Sequence, residues 1–118
     1  MITKLLSGIL RTNEPVQTQH FPAANTAAIV TISANVVRLV GIHKIQWSYS
    51  ADPTGGRLTI SDATLGTIKD FDITKSGPGS ISFTATRGSV DSIMTITLAA
   101  GGVGITGKLM VEYVMEHV

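Results

Sequence analysis

From residue 27 to residue 115 the chain alternates apolar and polar side chains in short runs. Ala28, Val30 and Ile32 share one face and Ile29 and Thr31 the other. The same period of two recurs in Phe71 and Ile73 against Asp70 and Asp72, in Ile81, Phe83 and Ala85 against Ser80, Ser82 and Thr84, and in Met94, Ile96 and Leu98 against Thr95 and Thr97. Leu109, Val111, Tyr113 and Met115 complete the series. A period of two is that of a strand with one buried face. Gly, Pro and Asp punctuate the runs, most strongly in the TKSGPG stretch at residues 74–79. Seven or eight short strands at roughly ten-residue spacing, without a helical period among them, predict an antiparallel β-sandwich or barrel.

The central stretch, residues 45–62, reads as two strands and a loop. Ile45, Trp47 and Tyr49 alternate on the first, and Leu58 and Ile60 on the second. Asp52, Pro53, Thr54, Gly55 and Gly56 are loop residues. The stretch predicts an antiparallel pair joined by a loop longer than a tight turn. It also holds the chain's single Trp and one of its two Tyr. Trp47 and Tyr49 are therefore candidates for a core or subunit-interface role, and, if both face outward, for a sugar-stacking platform.

The first 26 residues differ from the rest. Ile2, Leu5, Leu6, Ile9 and Leu10 recur at helical spacing, an apolar stripe broken by Gly8 and too short for a stable isolated helix. Residues 11–25 carry Pro15 and Pro22 among mostly polar residues and read as extended chain. Two readings stay open: a strand and loop packed on the same domain, or an arm that lays its apolar residues on a neighbouring subunit. Ser7 and Gly8 interrupt the apolar run, and no small-residue cleavage site follows at the right distance, so no secretory leader is expected. The expected organisation is an N-terminal arm over residues 1–26 and a β-sandwich over residues 27–118. An eight-stranded jelly roll is favoured over an immunoglobulin-like sandwich, whose Cys–Trp–Cys framework is missing.

Composition narrows the function. The chain has 118 residues, enough for one domain with a sizeable core. Charged residues make up 14% of it, against roughly 25% in a typical globular chain, and small polar residues fill the difference. Such a surface suits packing against other protein. Nine basic and eight acidic residues are scattered singly, so neither nucleic acid nor a membrane surface is an expected partner. No apolar run approaches the length of a membrane-spanning helix. Without Cys there is no disulfide or thiolate chemistry.

His20, His43 and His117 lie far apart and form no metal-ligand spacing. Asp70 and Asp72 at i and i+2 invite a Ca²⁺ reading, but a solvated strand face beside Lys69 and Lys75 accounts for them better. No nucleophile elbow, triad or phosphate-cradling loop is present, so no cofactor is expected and the chain does not read as an enzyme.

Four stretches carry a resemblance: PAANTAAIVTI (22–32), IQWSYSADPTGGRLTISD (45–62), FDITKSGPGSISF (71–83) and ITLAAGGVGITGKLMV (96–111). Together they resemble small bacteriophage virion proteins of the capsid decoration (cement) and head-fibre type. The resemblance implies a β-sandwich that sits on the outer capsid surface, made in the host cytoplasm and functioning in the virion. It implies two partners, the chain itself as a homotrimer and the major capsid protein. The candidate interface residues are Ile2, Leu5, Leu6, Ile9, Leu10, Trp47 and Tyr49. The alternatives are a tail, adaptor or fibre component, or a carbohydrate-binding attachment module.

Overall fold

The computed structural model describes residues 14–117, and every regular element among them is a strand. There are eight: β1 (Val16–His20), β2 (Ala28–Ile32), β3 (Arg38–Tyr49), β4 (Gly56–Asp62), β5 (Gly66–Ile73), β6 (Gly79–Arg87), β7 (Met94–Leu98) and β8 (Gly107–His117). They form two four-stranded antiparallel sheets, in the orders β1-β8-β3-β6 and β2-β7-β4-β5.

The topology follows from one nested pairing. β4 pairs with β5, β3 with β6, β2 with β7 and β1 with β8. The chain is thus a long hairpin folded at the β4–β5 turn, whose successive pairs fall alternately in the two sheets. The contacts β3–β8 and β4–β7 zip each sheet shut. This is the strand order of an eight-stranded jelly roll, and it bears out the expected all-β sandwich.

The alternating residues put their apolar members between the sheets. Val30, Ile32, Ile45, Leu58, Ile60, Met94, Ile96, Leu98, Leu109 and Val111 are all buried there. Each such side chain contributes about 1.5–3 kcal/mol relative to an exposed one. In β3 the register slips between Ile42 and Lys44. This bulge lets Val40 and Ile42 share the inner face with Ile45, Trp47 and Tyr49 although the spacing from Ile42 to Ile45 is odd.

Two expectations change. The strands of the central stretch do not pair with each other. β3 lies in the first sheet and β4 in the second, so residues 50–55 cross between sheets instead of closing a hairpin. Backbone bonds pin this crossing, from Tyr49 N to Ser76 O (2.8 Å), from Ser50 N to Thr106 O (2.9 Å) and from Thr54 N to Gly101 O (2.9 Å). β8 and β6 occupy the two edges of β3, so a hairpin with β4 would have displaced one of them. Second, the strand that carries Ile45, Trp47 and Tyr49 does not start there: it is the latter part of the twelve-residue β3, which begins at Arg38. The polar stretch of residues 11–25 contains β1, an edge strand in register with β8 from Val16 opposite Tyr113 to His20 opposite Leu109.

Candidate protein-binding surface

The strand directions send three loops to one end of the sandwich: residues 33–37 between β2 and β3, residues 63–65 between β4 and β5, and residues 88–93 between β6 and β7. This end carries Val36 (75% exposed), Val37, Leu65 (60% exposed), Val90 and Ile93. Among the described residues, five of the nine exposed large apolar side chains thus lie on these three loops. Scattered singly, exposed apolar residues need no explanation; gathered on one end they make it the candidate interaction surface.

The loops are held from beneath by a buried carboxylate. Asp62, the last residue of β4, is 1% exposed. Its Oδ2 accepts from Thr64 N (2.9 Å), Leu65 N (2.9 Å) and Ser92 Oγ (3.0 Å), and its Oδ1 accepts from Ser89 N (3.2 Å). Ser92 Oγ in turn accepts from Thr64 Oγ1 (3.0 Å). Burial pushes the Asp62 carboxyl up, but the backbone N–H groups of Leu65, Ser89 and Thr64 and the Ser92 hydroxyl pull it below its ordinary value. It is therefore ionised at neutral pH, its charge held by four donors. A Cβ on Gly88 would stand 2.5 Å from Asp62 Oδ1 and 2.8 Å from Met94 Cε, so only glycine lets the chain pass this close.

Further backbone bonds join the loops to one another. Ala63 N donates to Ile93 O (2.9 Å), and Asp91 N reaches both Asn35 O (3.1 Å) and Arg38 O (3.2 Å). Asn35 Oδ1 accepts from Val37 N (3.0 Å), an Asx turn that sets the valine pair outward. Asp91 takes a positive φ of 53°, which Asp tolerates better than most residues. The apolar side chains thus stand on a preorganised backbone, which lowers the ordering entropy a partner must offset on binding.

Trp47 and Tyr49, the candidates read from sequence that the structure describes, lie elsewhere. Tyr49 is buried at the opposite end of β3, and its hydroxyl donates to Ala99 O (2.7 Å); desolvation by burial raises its pKa. Trp47 is half-buried, 6.3 Å from the Tyr49 ring and tilted to it by 57°, and lies over Gly79. Its indole Nε1 is buried with no hydrogen-bond partner among the described residues. With one ring buried and the other packed against the core, the two do not form the flat exposed platform that sugar stacking needs. Ile2, Leu5, Leu6, Ile9 and Leu10 lie outside the described residues.

Asp70 forms a bidentate pair with Arg57 on the outer face of the second sheet, and this guanidinium holds its carboxyl below the ordinary value. His20 Nδ1 accepts from Ile29 N (2.9 Å), while His43 and His117 are exposed. Among the described residues no three His, Asp or Glu converge as metal ligands. A shallow, mostly polar groove of about 130 Å³ crosses the outer face of the first sheet between Gln17, Lys44, Gln46, Met110 and Glu112.

The Asp62 network and the valine-bearing loops were not singled out from the sequence. One local signal was present: Asp62 followed by Thr64 suits an Asx turn. Its connection to Ser89 and Ser92 spans about 30 residues and is visible only in the fold.

No protein-family model matches the chain, and no curated protein matches it. Among solved structures, one similar chain comes from the cryo-EM structure of the giant freshwater prawn Macrobrachium rosenbergii extra small virus (XSV) VLP. The identity is 13% and the TM-score 0.30, over 89% of this chain and 81% of that chain. This is a weak structural similarity to a viral protein, and no residue role is carried over from it.

Proposed function

We propose that this chain is a structural protein of a bacteriophage particle, a capsid decoration (cement) protein that binds the outer capsid surface as a homotrimer. The observation that carries the proposal is the apolar loop end, five exposed apolar side chains on a backbone locked by Asp62. Such an end is built to bury against another protein chain. The likeness of the four motif stretches to phage virion proteins supplies the class of particle, and the low charge content suits a surface that packs closely.

The mechanism is adhesion. A trimer touches several capsid subunits at once, and each contact raises the effective concentration of the next, so modest patches attach tightly. Because the bound protein favours the assembled shell over free subunits, occupancy stabilises the head.

Light scattering over a range of concentrations tests the proposal. The expected native mass is three times the 12.4 kDa chain, followed by co-sedimentation of the trimer with undecorated heads. A monomer at every concentration removes the homotrimer, and a trimer that leaves heads bare removes decoration.

A further inference from the structure

We infer that the apolar loop end is the acceptor for the N-terminal apolar segment, Ile2, Leu5, Leu6, Ile9 and Leu10, of a neighbouring copy. This rests on the homotrimer reading above and names the contact that closes it.

The direction of β1 supports the inference. β1 is antiparallel to β8, with Val16 opposite Tyr113 and His20 opposite Leu109. Traced backward from Val16, the chain therefore runs alongside Tyr113 toward His117, the end of β8 that lies with the three apolar loops. Glu14, the first described residue, therefore stands at this end and not at the opposite one. Thirteen residues precede it in the sequence, a length that spans at most about 45 Å.

The chemistry matches. Five apolar residues at helical spacing need an apolar cover, and Val36, Val37, Leu65, Val90 and Ile93 offer one on a fixed backbone. No charged side chain of the segment except Lys4 and Arg11 has to be accommodated. Donor and acceptor are different surfaces of the same chain, so the contact is head-to-tail. Such a contact closes into a ring when its rotation allows, and each copy then gives one segment and receives one. A segment folded back on its own sandwich would leave no such link between copies.

The absence of Cys makes a clean cross-linking test possible. Leu5→Cys chains are mixed with mass-tagged Leu65→Cys chains and oxidised; the control replaces Leu65→Cys with Val103→Cys, which is 91% exposed on a loop at the opposite end. The expected result is a covalent hetero-pair forming roughly tenfold or more faster than in the control, as an organised contact raises effective concentration. Deleting residues 2–10 should also abolish the trimer mass while the circular dichroism of the sandwich stays unchanged. Equal rates in the two mixtures overturn the inference. So does a Leu5→Cys/Leu65→Cys double variant that closes only within one chain. The native mass of the unaltered chain is read separately: a trimer with equal cross-linking rates defeats this contact and leaves the homotrimer standing, whereas a monomer defeats both.

Discussion

Replacing Asp62 by Asn tests whether one carboxylate holds the apolar end together. The substitution keeps shape and volume and removes the charge. Three donors, Thr64 N, Leu65 N and Ser92 Oγ, converge on Oδ2, so the amide oxygen should take that position. The amide nitrogen then faces Ser89 N, which now stands donor to donor at a distance of 3.2 Å in the native arrangement. Three charge-assisted bonds becoming neutral lose about 1 kcal/mol each, and an unpaired buried N–H costs about 1–3 kcal/mol. Relief from burying a charge returns part of this. The net destabilisation is about 3 kcal/mol at neutral pH. For a domain of this size that lowers Tm by about 12 °C.

Acid sharpens the test. The folded Asp62 carboxyl titrates below its ordinary value, so its contribution is fully present above the unfolded pKa of about 3.9 and is lost as pH falls through the lower folded pKa. The stability gap between native chain and Asp62→Asn should therefore be constant from about pH 7 to about pH 5 and shrink below about pH 4. Other lowered carboxyls, such as Asp70, are present in both proteins and cancel in the difference. Urea unfolding followed by Trp47 fluorescence gives the gap at each pH. A gap under about 1 kcal/mol at neutral pH, or one that does not close in acid, refutes the assignment.

Two further substitutions probe neighbouring links. Gly88→Ala should destabilise by about 1–3 kcal/mol, because its Cβ meets Asp62 Oδ1 and Met94 Cε; combined with Asp62→Asn it should cost less than the sum, read in a double-mutant cycle by calorimetry. Tyr49→Phe removes the hydroxyl that donates to Ala99 O and should cost about 1 kcal/mol, leaving the Ala99 carbonyl unpaired without disturbing the ring's place in the core; thermal unfolding checks it.

Strand content and the buried face of most strands were legible in the sequence, because a half-buried strand writes its environment at a period of two. Ile60, Ile96, Leu98 and Val111 are buried where that alternation places them. β1 left no such signature: VQTQH is an edge strand exposed on almost all its residues, so nothing in it is selected for burial and only register with β8 reveals it. The bulge at His43 shifts the period within β3, so the alternation of Ile45, Trp47 and Tyr49 does not continue back to Ile42 and Val40. Pairing was beyond local pattern altogether. Whether β3 turns back on β4 or crosses to leave it in the other sheet depends on competition from β6 and β8, whose residues lie tens of positions away. The same holds for the candidate surface. An Asp after a strand and single valines in separate loops carry no joint meaning along the chain. Nested pairing brings the loops to one end, and the low-dielectric space beneath them makes one ionised carboxylate with four donors strong enough to hold them there.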